Sequence, residues 1–151
     1  HVAKDYIEGL NMLANLKLGS NVPGQWAIQT ALGGYQSIHD LVKPGGRLRR
    51  QRDLAYDLIT AIPGVTCVKP QAALYMFPRL DPAMYPIADD RDFFMQVLRA
   101  TRVMLVQGSG FNYPDHQHFR IVFLPHEDDL RVAIGRLADF LANYRQQHGT
   151  A

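Results

Sequence analysis

Residues 107–125 read QGSGFNYPDHQHFRIVFLP. A glycine-bearing loop, Gly108 to Asp115, runs into a short apolar strand that carries an arginine. With a two-residue period, Phe119, Ile121 and Phe123 fall on one face, and Arg120 and Val122 on the other. A guanidinium on a strand needs a partner. Its planar fork matches a carboxylate through two parallel hydrogen bonds, a geometry that an ammonium does not reproduce. Two readings follow: Arg120 is tied to an internal acid, with Asp115 the nearby candidate, or it is set for an acidic ligand.

Before this run the chain reads as helices. Asp5 to Leu18 places Tyr6, Leu10 and Leu13 on one face. Ser20-Asn21-Val22-Pro23 breaks that helix and caps the next, expected over Pro23 to Ile38. Its Trp26, Ala27, Thr30, Ala31 and Gly34 suit close helix packing. After Pro44-Gly45-Gly46 a third helix runs to Ile62, with Leu48, Ala55, Leu58, Ile59 and Ile62 inward, and Pro63-Gly64 stops it. The period then changes. Strands are expected at Val65 to Val68, Ala73 to Phe77, Val103 to Val106 and His118 to Phe123, with a proline-rich loop from Pro78 to Pro86. Asp89-Asp90 opens a helix to about Ala100. Glu127-Asp128-Asp129 opens the last one, whose stripe is Leu130, Ile134, Leu137, Leu141 and Tyr144. The fold class is α+β, a small, mostly antiparallel sheet with helices packed on it.

The length of 151 residues suits one domain. A net charge of +2 gives no electrostatic reason to expect nucleic acid or a membrane as partner. Cys67 is alone, which excludes an internal disulfide and fits a reducing, cytoplasmic setting. The chain opens with His1-Val2-Ala3-Lys4 inside a helical pattern and without an initiating Met, which reads as a piece of a longer protein.

Four stretches, in order, carry a resemblance: Ser20 to Gln25 (SNVPGQ), Lys69 to Pro78 (KPQAALYMFP), Val106 to Phe111 (VQGSGF) and His118 to Pro125 (HFRIVFLP). Together they resemble the C-terminal segment of class I, fold-type I, pyridoxal-phosphate aminotransferases. Asn21 to Arg52, with ALGGYQS inside it, is similar to the alanine (glutamate–pyruvate) transaminase branch. The resemblance implies a helix joining two domains over residues 1–18 and the small domain over residues 19–151, with the large, cofactor-bearing domain absent. It implies that Arg120 binds the substrate α-carboxylate. It places Ser20 and Asn21 near the neighbouring subunit's active site in a homodimer, although helix capping accounts for both residues by itself. Substrates would be an amino acid and a 2-oxo acid, and the cofactor pyridoxal 5'-phosphate.

The Schiff-base lysine of that family follows a serine-rich motif. Lys4, Lys17, Lys43 and Lys69 all lack that context, so this chain is expected to hold no catalytic or cofactor-binding residue and to be inactive alone. Three positions depart from the family pattern. Ala72 stands where glycine is usual and would be strained if its φ were positive. Gln107 replaces a proline. Leu16 replaces the arginine with which aspartate-type members hold a second carboxylate, and this favours alanine over aspartate as donor. Other transaminase specificities, and a non-catalytic module that binds an acidic ligand or partner, are the alternatives. His116 and His118 lack the further ligands of a metal site. Arg47, Arg49, Arg50 and Arg52 read as a solvated helix face, and Tyr75 as a sheet-surface or core residue.

Overall fold

The structure, a computed structural model, describes residues 3–34 and 36–148. The opening His1-Val2 and the Tyr35 of the ALGGYQS stretch lie outside the described residues. Contacts divide the chain into two units, His1–His39 and Asp40–Ala151. The division falls later in the chain than the 18/19 boundary expected from the sequence.

The first unit carries helix α1 (Lys4–Leu16) and helix α2 (Val22–Ala31). Asn21 caps α2 by accepting a hydrogen bond from the Gly24 N–H at 2.7 Å, and Pro23 lies in the first turn. Neither helix buries a residue among those described. Their apolar side chains are open to solvent, Leu16 and Trp26 both at 77 %. The helix expected to reach Ile38 ends earlier. Gly33 and Gly34 take φ of +67° and +79°, which terminates α2, and a separate short helix α3 (Ile38–Val42) follows.

The second unit holds the core. Helix α4 (Arg47–Thr60) buries Leu48, Ala55 and Ile59. Helix α6 (Glu127–His148) buries Leu130, Ile134, Leu137 and Leu141, the stripe expected from its periodicity, with Tyr144 partly buried beside it. Gln51 interrupts the apolar face of α4. Its Nε2 donates to the carbonyls of Leu124 and Pro125 at 3.2 and 2.7 Å, fastening α4 to the entry of α6, while its buried Oε1 has no partner among the described residues. Helix α5 (Asp90–Thr101) adds Phe93, Phe94 and Val97. Asp89 caps it, accepting from the Asp92 N–H at 3.0 Å. It ends at Arg102 in the left-handed region, φ 62°.

The strands are shorter than expected: β1 (Val65–Thr66), β2 (Tyr75–Met76), β3 (Arg79–Leu80), β4 (Val106–Gln107) and β5 (Phe119–Val122). β3 lies inside the stretch read as a proline-rich loop. Arg79 and Leu80 pair antiparallel with Thr66 and Val65, because the prolines flank the strand and leave its donors free. β2, β5 and β4 form a three-stranded antiparallel sheet with β5 in the centre. Strain near β2 falls at Ala73, φ 60°, and not at the expected Ala72. The left-handed residue is thus one position later, two residues before β2 begins, at a cost of roughly 1–2 kcal/mol for an alanine. No helix is long and apolar enough to cross a membrane.

Leu141 is fully buried in this core. Leu141→Ala is expected to lower the unfolding free energy by about 2–5 kcal/mol in urea titrations. Trp26→Ala, at an exposed position, is expected to shift it by less than about 0.5 kcal/mol.

Candidate functional site

The alternation read in β5 is present. Phe119, Ile121 and Phe123 are buried at 0, 7 and 2 %, and this sends Arg120 to the opposite face. Arg120 pairs with Val106 of β4, and Val122 pairs with Tyr75 of β2. Tyr75 is therefore the diagonal neighbour of Arg120 on that face, within reach of a ring. Its ring centroid lies 4.6 Å from the guanidinium carbon, and Phe111 covers the guanidinium from a second ring at the same 4.6 Å. Both contacts are cation–π in type.

No carboxylate among the described residues forms an ion pair with Arg120, and its buried Nε has no hydrogen-bond partner. The internal candidate, Asp115, is committed elsewhere. It accepts from the Gln117 N–H at 3.0 Å and lies 2.7 Å from Nδ1 of His118. His118 stacks on Phe77, ring centroids 5.2 Å apart. Of the two readings of Arg120, the internal ion pair is therefore not formed among the described residues. Ring faces hold the guanidinium in place and leave its edge of donors uncommitted, a state that disfavours burial unless an acid arrives.

The loop over the site is a turn of 3-10 helix, Gly108–Phe111. Gly108 is required by close approach: its N–H donates to the His118 carbonyl at 2.8 Å, and a Cβ would meet that same oxygen at 2.9 Å. Ser109 donates from its N–H and hydroxyl to the two oxygens of Asp90, at 2.9 and 2.7 Å. Burial alone pushes the Asp90 carboxyl up, but the Ser109 bonds and His116, at 3.4 Å, outweigh it and hold it below its ordinary value. Asp115 behaves likewise: burial raises it, and His118, the Gln117 N–H and Arg79 bring it down.

Other sequence candidates fall outside this cluster. Asn21 caps α2, and Ser20 gives its carbonyl to Gln25 Nε2 at 2.7 Å. His116 and His118 turn to different acids, and no three His, Cys, Asp or Glu side chains among the described residues converge as a metal set. Arg50 pairs with Glu127 and Arg52 with Asp53. A groove of about 250 Å³ lined by Pro86, Asp89, Phe93 and Tyr144 contains none of the residues around Arg120. Sequence reading missed Phe111 and Ser109 as site residues, along with Asp90, and took Tyr75 for a sheet-surface or core residue. Only Tyr75 left a signal, its place on the arginine's diagonal once β2 and β5 are paired.

The model of the aminotransferase class I and II family matches residues 2–137. The chain belongs to that family. It is 57 % identical over 146 residues to the glutamate-pyruvate aminotransferase AlaA of Haemophilus influenzae, covering 97 % of this chain and 36 % of that protein. It is 54 % identical over 144 residues to the alanine aminotransferase of Mycobacterium tuberculosis, covering 95 % of this chain and 34 % of that one. A crystal structure of an Escherichia coli aminotransferase superimposes with a TM-score of 0.75 at 54 % identity, over 95 % of this chain and 36 % of that one. The chain thus spans about a third of the relatives it matches, and its α+β architecture is that of the aminotransferase small domain.

The family implies pyridoxal phosphate, and three of the four lysines, Lys4, Lys43 and Lys69, lie beside carboxylates. Lys43 is paired with Asp40 at 2.8 Å and Lys69 with Asp53 at 2.9 Å, while Lys4 sits on an exposed helix face near Glu8.

The lowered carboxyls set an acid limit. A folded value below the unfolded one, about 3.9 for Asp, contributes stability that is complete above the unfolded value. That contribution is lost as pH falls through the folded value. The melting temperature is expected to be level from pH 7 to about 5 and to fall below about pH 4. Asp90→Asn should lower it at pH 7 and make the acid decline shallower. Thermal melts across pH check both.

Proposed function

We propose that this chain is the small domain of an aminotransferase that moves an amino group from alanine to 2-oxoglutarate, and that Arg120 binds the α-carboxylate of each substrate. The observation that carries the reading is a guanidinium lying 4.6 Å from both the Tyr75 and Phe111 rings with no acid paired to it among the described residues. Such a fork binds a carboxylate through two charge-assisted hydrogen bonds and orients the amino acid about its Cα, so that the reacting C–H is presented in one direction. Leu16, in place of a second arginine, supports a monocarboxylic donor over aspartate. In this reading residues 1–18 form the joining helix and residues 19–151 the small domain. The Schiff-base lysine and the cofactor site lie outside the chain, which alone is inactive. Ser20 and Asn21 lie near a partner subunit's site in a homodimer, and the enzyme is cytoplasmic. The exposed apolar faces of α1 and α2 agree with segments that another part of the protein covers.

In the full-length enzyme, Arg120→Leu is expected to reduce kcat/KM for alanine by about a hundred- to a thousandfold, the loss of two charge-assisted hydrogen bonds. Arg120→Lys is expected to recover only part, because an ammonium lacks the fork. Steady-state kinetics with wild-type parameters for Arg120→Leu would reject the clamp. Incubating the 151-residue chain with pyridoxal phosphate and borohydride is expected to give no stoichiometric adduct at a single lysine, checked by mass spectrometry.

A further inference from the structure

The two rings around Arg120 are held by different means. Tyr75 belongs to β2, and the ladder with β5 fixes it. Phe111 lies outside any strand, at the last position of the turn Gly108–Phe111, and its ring is 45 % exposed. Its ring meets Phe77 edge-on at a loose 6.3 Å. What places it is the anchorage of the turn. Gly108 is bonded to β5 through the His118 carbonyl. Ser109 is bonded to both oxygens of Asp90, which is 1 % exposed at the start of α5. Phe93, Phe94 and Val97 seat that helix in the core. One residue meeting both oxygens of a buried carboxylate fixes the rotation of the turn as well as its position.

From this we infer that Asp90 is a positioning residue for the Arg120 clamp, acting through Ser109 to keep the Phe111 ring over the guanidinium. The inference rests on the carboxylate-binding role proposed for Arg120. With rings on two sides, the guanidinium keeps one plane, and its fork faces one direction. If the turn is loosened, the arginine remains but its orientation is no longer set. Because the carboxylate is bound alike before and during reaction, the loss falls on KM and leaves kcat nearly unchanged.

The test is steady-state kinetics with alanine on the full-length enzyme. Asp90→Asn and Phe111→Ala are each expected to raise KM about five- to tenfold, the scale of one cation–π contact, with kcat within about twofold. Ser109→Ala, which keeps the backbone bond to Asp90, is expected to give a smaller rise, and Ser109→Thr, which restores the hydroxyl, to reverse it. Since Asp90 acts through Phe111, the double variant Asp90→Asn/Phe111→Ala is expected to be no worse than Phe111→Ala alone. Thr101→Val, at the far end of α5, removes a buried hydroxyl bond to Val97; it should lower the melting temperature without moving KM. Wild-type KM in Asp90→Asn, or effects that multiply in the double variant, would overturn the inference. If Arg120→Leu disturbs the kinetics and Asp90→Asn does not, only the positioning role fails. If Arg120→Leu is silent, the clamp fails and this inference with it.

Discussion

Strand β5 has a two-residue period, and the core claims one of its faces. Phe119, Ile121 and Phe123 are each under 10 % exposed, packed beneath α5 and α6 residues of the same cluster. A one-residue slip would bury a guanidinium and expose three large apolar groups. The register is therefore fixed by hydrophobic burial. The direction in which Arg120 points is a by-product of the same energy that holds the domain together, so the guanidinium is oriented by apolar packing on the reverse side of its own strand.

Around that arginine the structure supplies aromatic faces where an ion pair would be usual. Quadrupolar attraction partly offsets the loss of water from the guanidinium. It does so without occupying the N–H groups that recognise a carboxylate. Asp115, the acid nearest in sequence, is drawn off by His118 and the Gln117 N–H. Asp90, the buried acid of the region, accepts from Ser109 at both oxygens. Each local negative charge thus has a committed donor, and the arginine is left for something else. The chain belongs to the class I and II aminotransferases.

Much of the helical framework could be read from residue order. The stripe of α6, the inward face of α4 and the Asn21 cap follow from local spacing and capping chemistry, and the structure keeps them. Short strands were harder. β3 hides between prolines because its pairing with β1 is a contact between distant segments, invisible to local pattern. The end of α2 was misjudged because two glycines outweigh the helical periodicity that continues past them. The left-handed residue near β2 is Ala73, because sequence shows a missing glycine at Ala72 but not the φ of its neighbour.

Sequence alone determined that Arg120 lies on the polar parity of an apolar strand, and that the last helix carries an apolar stripe from Leu130 to Leu141. Both are properties of neighbours along the chain. Only tertiary structure decided who meets the arginine. Tyr75 and Phe111 arrive from other segments, Asp115 turns to His118, and Asp90 reaches across to Ser109. Local order fixes which way a side chain points. The energy of charge, ring and hydrogen bond depends on distances that exist only once the segments have packed.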